Sequence, residues 1–108
     1  MSVFSAASLG LALVCASAAA QDPAPQFSPE RIKKGADLFA RNCVTCHGTR
    51  MHNPQGGIDL RTFPRDARAR FVDSVTYGKR NMPPWDDALK PDDLDALWAY
   101  VSTGDPGD

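Results

Sequence analysis

The sequence predicts an all-α domain: three helices whose long irregular connections wrap a group that is not polypeptide. Three observations carry this reading. Apolar residues recur at helical spacing in three segments, and no segment shows the period-2 alternation of a strand. The connection between the first two helices runs for about twenty residues, too long for a compact domain unless it encloses something. The helices are short, and the few large apolar residues they offer make a thin core.

The first twenty residues, MSVFSAASLGLALVCASAAA, carry no charge. Their apolar middle, Leu9 to Val14, is too short for a permanent span. Ala18-Ala19-Ala20 fits the small-x-small pattern of an export cleavage site. Residues 1–20 therefore read as a signal peptide. No Lys or Arg stands near Met1, so an anchor that stays on is the alternative. Cys15 leaves with the leader, and Val14 before it is bulkier than a lipidation site expects. Residues 21–28 are a proline-rich flexible lead-in.

Ser28 then offers an N-cap, with Pro29 at the first helical position and Glu30 in the first turn. Ile32, Ala36, Phe39 and Ala40 follow at helical spacing, giving a first helix from Pro29 to about Arg41. Gly35 inside it costs up to about 1 kcal/mol relative to alanine, which close approach by another helix compensates. Residues 48–64 are irregular, with Asn53-Pro54 and Gly56-Gly57 as turn markers. Pro64 is expected to open the second helix, with Asp66 in its first turn and Phe71, Val72 and Val75 on its apolar face. Gly78 ends it, with Lys79 and Arg80 near the negative end of the dipole. NMPPW, residues 81–85, cannot be helical with two prolines. The last helix begins at Pro91, carries Asp92, Asp93 and Asp95 early, sets Leu94, Leu97, Trp98 and Val101 on one side, and stops near Gly104. The domain is thus residues 29–104, with 105–108 a C-terminal tail.

Net charge is −1, which excludes a general binder of nucleic acid or of anionic membranes. Charge is unevenly placed. Arg61, Arg65, Arg68, Arg70, Lys79 and Arg80 fill the middle, while Asp86, Asp87, Asp92, Asp93, Asp95, Asp105 and Asp108 crowd the last quarter. A chain this short wants a staple once its leader is gone. Only Cys43 and Cys46 then remain, and a bridge between them closes too small a loop to constrain the unfolded chain.

Cys43-Val44-Thr45-Cys46-His47 has three readings. A redox dithiol wants a neighbouring βαβ pattern, and no strands are predicted. Zinc wants a second pair of ligands, and His47 and His52 are the only histidines. Haem attachment wants Cys-x-x-Cys-His in an exported chain, as found here. Two cysteines on one turn of chain can form thioethers with the vinyl groups of a porphyrin, and the adjoining histidine can meet the iron. Candidates for the sixth ligand are Met82, Met51 and His52. Met82 is favoured, because it lies in a rigid segment stiffened by Pro83 and Pro84 and far enough along the chain to reach the opposite face. Met51 and His52 follow His47 too closely.

GADLFARNCVTCHG (35–48), NMPPW (81–85) and LDALWAYV (94–101) resemble a class I c-type cytochrome of the small soluble bacterial kind, over nearly all of the chain outside the leader. Residues 56–101 further resemble cytochromes that accept electrons from quinoprotein (PQQ) alcohol dehydrogenases. The resemblance implies a cytochrome c fold around one covalent haem c, bonded to Cys43 and Cys46 and ligated by His47 (proximal) and Met82 (distal). It implies that Gly35 and Phe39 meet Trp98 at the crossing of the first and last helices, with Tyr100 the lesser candidate. It further implies that the Pro54 carbonyl holds the second nitrogen of His47, that Arg61 either pairs with a haem propionate or is a surface arginine, and that Trp85 packs in the core, on the haem or at the docking rim. Val44, Thr45, Met51, Pro83 and Pro84 are candidates for an apolar docking rim. The implied function is single-electron transfer in the periplasm between redox proteins, such as from a quinoprotein dehydrogenase toward an oxidase or another cytochrome. The chain is then no enzyme, has no small-molecule substrate or nucleic acid partner, and has no membrane span after cleavage. The alternative is gas sensing or catalysis at a haem with a labile sixth ligand.

Overall fold

The computed structural model describes Val3, Gly10 and residues 27–108. The leader and most of the lead-in lie outside the described residues. Helix α1 spans Pro29–Asn42, and the Ser28 hydroxyl accepts from the Arg31 N–H at 3.2 Å, as an N-cap should. The chain turns at Cys43 into a one-turn helix, α2 (Val44–His47). Two 3-10 turns follow, Thr49–Met51 and Leu60–Thr62. Helix α3 spans Arg68–Tyr77 and helix α4 spans Pro91–Thr103. Among the described residues there is no strand, only an isolated bridge between Lys79 and Met82. No described helix is long and apolar enough to cross a membrane.

Two expectations shift. Pro64 does not open α3; residues 64–67 form a turn closed by the Ala67 N–H on the Pro64 carbonyl at 3.1 Å, and the helix begins four residues later. The reason is tertiary: Phe63 has to lie edge-on to Phe71 and to Trp98, with centroids 6.0 Å away in each case, and a helix from Pro64 would carry Phe71 elsewhere. The second shift concerns the crossing of α1 and α4. Phe39 packs on Tyr100 at 5.3 Å between centroids, not on Trp98. Trp98 faces Phe71 at 5.3 Å instead. Residues 97, 98, 100 and 101 are all nearly inaccessible, so α4 is covered on both flanks and its two aromatics divide between α1 and α3.

Gly35 makes this crossing possible. A Cβ there would overlap the Ala96 carbonyl oxygen and lie 2.7 Å from its carbon and from Tyr100 Cβ. The same two helices are tied outside by Arg31 to Asp92 at 3.0 Å, by Lys34 to Asp93 at 3.2 Å and by Lys34 to Asp92; α3 is tied to α4 by Arg68 to Asp95. Exposed pairs of this kind contribute little individually. Burial at the crossing therefore dominates.

Residues 105–108 fold back on the domain rather than trailing from it. The Tyr100 hydroxyl donates to Asp105 at 2.7 Å, Arg50 donates to Asp105 at 3.1 Å and to Asp108 at 2.7 Å, and His52 meets Asp108 at 3.0 Å. These bonds close over a loop in which Arg50, Met51 and Asn53 all hold left-handed backbone, φ 56, 63 and 52. Non-glycine residues occupy that region only when surrounding contacts impose it. Burial and the hydrogen bond to Asp105 push the Tyr100 phenol far above its ordinary range. Burial alone would raise the Asp105 carboxyl, but donors from Tyr100, the Gly107 N–H and Arg50 outweigh it and hold it low.

Gly35→Ala is expected to destabilise the protein by roughly 1–3 kcal/mol through overpacking, read as a lower midpoint in urea. An unchanged midpoint would mean that the helices separate freely. Asp105→Asn is expected to lower stability at neutral pH. The folded carboxyl titrates below its unfolded value of about 3.9, so its contribution is present above that pH and lost as pH falls through the folded value. Denaturation at stepped pH should show wild type and variant converging in acid; a gap of constant size would assign the effect to shape rather than charge.

Candidate functional site

Helices α1, α3 and α4 and the loops between them wall a cavity of about 520 Å³, within the roughly 300–1,000 Å³ usual for bound small molecules. Its wall is mostly apolar. Phe39 comes from α1, Phe71 and Val75 from α3, and Leu97 and Val101 from α4, with Leu60, Trp85 and Leu89 from the loops. Cys43, Cys46, His47 and Met82 line the same cavity. Residues 35 positions apart in sequence are thus brought to one chamber.

The local chain explains how the motif is presented. The Cys43 N–H bonds the Phe39 carbonyl at 2.8 Å, so Cys43 closes α1, and the His47 N–H bonds the Cys43 carbonyl at 2.9 Å, so α2 begins there. Cys43 is half-buried, Cys46 is exposed, and neither is in a disulfide. Burial, with Cys46 adding to it, pushes the Cys43 thiol up to about 11. Redox dithiols require the opposite shift, and no strand flanks the motif, so the thioredoxin-like reading loses both of its supports.

His47 is held by the backbone. Its Nδ1 lies 3.2 Å from the Ile58 carbonyl, where a ring N–H can donate, and the ring's Nε2 is left for another partner. Pro54 does not have this role: it does not line the cavity, and the Ile58 carbonyl occupies the position instead. The loop is brought over the ring by two bonds to the Cys46 carbonyl, from the Gln55 N–H at 2.8 Å and the Gly57 N–H at 3.1 Å. Glycine is needed at 57, because a Cβ would lie 2.6 Å from His47 Nδ1 and 2.9 Å from the Cys46 oxygen. The Gly56-Gly57 doublet marked a turn in the sequence; that it makes room for an imidazole was not visible there.

Met82 sits in a tight turn. The Lys79 N–H bonds the Met82 carbonyl at 3.1 Å and the Met82 N–H bonds the Lys79 carbonyl at 3.0 Å, with Arg80 and Asn81 between them. The Trp85 N–H then bonds the Val75 carbonyl at 2.9 Å, pinning the far end of the segment to α3. Trp85 is half-buried, packs against the core cluster and lines the cavity. Met51 and His52 stand elsewhere. Met51 is wholly buried, with 0% exposure, so it belongs neither to the cavity nor to an exposed rim. His52 is engaged by Asp108. Of the other rim candidates, Thr45 and Pro83 line the cavity mouth while Val44 and Pro84 do not. Arg61 is also placed differently from expectation. It lies outside the cavity wall, and its guanidinium donates to both oxygens of Asp59 at 3.1 Å. A carboxylate two residues away is the nearer partner.

The residues present suit a porphyrin bonded through two thioethers. Two cysteines, an imidazole oriented by a carbonyl and a methionine sulfur share one apolar chamber, and these are the side chains that such a group requires. Fold and motif together define a class I c-type cytochrome. Residues 30–101 match the family described as cytochrome c oxidase, cbb3-type, subunit III, and the chain belongs to that family. Membership carries a covalently bound haem c and electron transfer as its work.

Among relatives, the chain is 37% identical over 90 residues to the cbb3-type cytochrome c oxidase subunit FixP of Azorhizobium caulinodans, covering 74% of this chain and 29% of that protein. It is 34% identical over 79 residues to quinohemoprotein alcohol dehydrogenase ADH IIB of Pseudomonas putida, covering 68% of this chain and 11% of the enzyme. It is 30% identical over 80 residues to cytochrome c6 of Bryopsis maxima, covering 65% of this chain and 88% of the cytochrome. The chain thus spans less than a third of FixP and of the dehydrogenase, but most of the cytochrome c6.

Gly57→Ala is expected to break the bond between His47 and the Ile58 carbonyl and to destabilise the haem-loaded protein by roughly 1–3 kcal/mol, lowering its thermal midpoint by several degrees. Proton NMR of the ferrous protein should lose the slowly exchanging His47 Nδ1–H signal. Retention of that signal would show that the loop yields without releasing the ring.

Proposed function

We propose that this chain is a periplasmic mono-haem carrier that passes single electrons between redox proteins, from a quinoprotein alcohol dehydrogenase toward a terminal oxidase. The observation that carries the reading is the single apolar cavity lined at once by Cys43, Cys46, His47 and Met82. In this proposal the two cysteine sulfurs hold the porphyrin, His47 is the proximal ligand and Met82 the distal one. Bound iron supplies a one-electron couple whose potential the methionine raises.

The chain's own part is to hold these groups still. Ile58 fixes the tautomer and orientation of His47, and the turn at Lys79–Met82 with the prolines behind it fixes the methionine sulfur. Two ligands that keep their places mean little rearrangement per electron and leave no position for a substrate. Aromatic and aliphatic walls exclude water, which keeps the site's dielectric low. Thr45 and Pro83 at the mouth, with exposed Ile58 beside them, suit a small and transient contact with a partner.

The named partners are supported by likeness to the dehydrogenase ADH IIB and to the oxidase subunit FixP. The periplasmic location is supported by the uncharged leader of residues 1–20, ahead of a lead-in (21–28) and the domain at 29–104. Met82→Ala tests the ligand assignment. The wild-type ferric protein is expected to show the weak long-wavelength band of methionine-ligated haem, and the ferrous protein to refuse carbon monoxide. The variant should lose the band and bind the gas. A variant with an unchanged spectrum removes Met82 from the site, and a wild type that binds carbon monoxide readily favours sensing or catalysis.

A further inference from the structure

The loop that orients His47 is gripped from outside the cavity. Residues 48–53 double back on the end of α2. The Met51 N–H bonds the Gly48 carbonyl at 3.1 Å and the His52 N–H bonds the Thr49 carbonyl at 3.0 Å. The returning chain passes so close that a Cβ at Gly48 would overlap the His52 carbonyl oxygen and lie 2.7 Å from its carbon. Arg50, Met51 and Asn53 follow this path in left-handed backbone, which costs free energy at each of them and holds only where other contacts impose it. Residues 55–58 then cross the histidine and bring the Ile58 carbonyl to 3.2 Å from His47 Nδ1.

The contacts that impose the path form one chain of charged groups. Arg50 donates to Asp105 at 3.1 Å and to Asp108 at 2.7 Å through two separate nitrogens. His52 Nε2 lies 3.0 Å from both oxygens of Asp108, and its Nδ1 lies 3.3 Å from Nη1 of Arg61. A guanidinium can only donate, so Nδ1 accepts from Arg61 and Nε2–H donates to Asp108. Arg61 is held in turn by both oxygens of Asp59, the residue after Ile58. The loop is therefore gripped on both sides of the segment that crosses His47: at Arg50 and His52 before it, and through Arg61 at Asp59 after it. At the other end Asp105 is anchored to α4 by the Tyr100 hydroxyl at 2.7 Å. None of these residues lines the cavity.

We infer that Arg50, His52 and Arg61 are positioning residues for the His47 ring, and that residues 105–108 are the strap that holds them in place. This rests on the haem-carrier reading and goes beyond it, because it assigns a part in the site to the last four residues. With the strap closed, the Ile58 carbonyl stays on Nδ1 and raises the basicity of the imidazole as a ligand. With it open, the strained loop relaxes and the carbonyl is no longer held on the ring. Side chains with no contact to the cavity thus set how strongly His47 donates.

The test is hydrogen exchange at His47 Nδ1, followed by proton NMR of the ferrous haem-loaded protein at a single pH. The midpoint potential and the urea midpoint are measured on the same samples. Arg50→Gln is expected to speed exchange roughly three- to tenfold, the effect of removing one member of a charge network, through local opening of the loop. It should also raise the midpoint potential, since a less basic imidazole favours ferrous iron. Asp108→Asn, which keeps the shape of the side chain, should move both in the same direction and carries the test if Arg50→Gln does not fold. Arg31→Gln removes exposed ion pairs between α1 and α4 and should leave exchange and potential in place, whatever it does to the urea midpoint. If Arg50→Gln and Asp108→Asn lower the urea midpoint but leave exchange and potential unmoved, the tail only closes the fold and the assignment is overturned. If Arg31→Gln speeds exchange equally, the opening is global and the assignment is again overturned. A purified chain without porphyrin would remove the haem reading and the assignment with it, a failure visible by mass before any exchange is measured.

Discussion

The site depends on one close contact, the approach of the Gly35 backbone to the turn of α4 that carries Ala96 and Tyr100. Helices this near cannot keep a side chain between their axes, so their remaining large residues are displaced to either side. Phe39 moves to one flank, where it meets Tyr100 and lies 6.5 Å from the His47 ring. Leu97 and Val101 are left facing the cavity. The crossing thus does two things with one contact. It supplies most of the buried packing of a short chain, and it turns the C-terminal end of α1, with Cys43 as its cap, toward the chamber.

Charge is divided on a similar principle. The outside of the α1–α4 and α3–α4 contacts is closed by aspartates of α4 against cations of α1 and α3. Residues 105–108 and Arg50 close the other end over a strained loop. None of these pairs is worth much alone. Their joint effect is spatial: they set these acids where the fold needs closing, while the cavity is lined by Arg70, Lys79 and Arg80 and by no aspartate or glutamate. Composition alone gives a nearly neutral chain, and only the pairing shows which sign faces the chamber.

How much of this was legible in the sequence follows from the range of the forces involved. Helices α1 and α4 were readable because their starts are local: Ser28 before Pro29, and Asp93 whose carboxylate accepts from the Lys90 N–H at 3.0 Å. That Cys43, Cys46 and His47 would sit together was readable from their spacing within one turn of chain, and the structure sets them and Met82 on one cavity. The start of α3 was not, since Pro64 is a good first residue for a helix and only the packing of Phe63 against α3 and α4 denies it that role. The aromatic partner of Phe39 was misassigned to Trp98 for a related reason. Both aromatics lie on α4, and the choice between them is made by where α3 packs. Arg61 and Met51 show the same limit at single residues, one taken by a neighbouring aspartate and the other turned into the core by a left-handed backbone that its own sequence gives no reason to expect.

The orientation of His47 shows why a side-chain motif alone does not specify the site. The group that holds its ring is a carbonyl, and every residue has one. What selects Ile58 is the route of the chain before it, and that route is fixed by the carbonyl of Cys46, which accepts from both Gln55 and Gly57. At the end of a one-turn helix such a carbonyl lacks a partner within the helix. Satisfying it with two loop donors draws residues 55–58 across the face of α2, and only a residue without a side chain can pass the imidazole at position 57. The peptide of Cys46 is therefore also the one that folds the loop onto the His47 ring. The placements of the two residues are coupled through a single backbone group. A loop exchanged for one of equal length would keep the Cys-x-x-Cys-His motif intact and still misplace the ring unless it preserved both donors and the glycine.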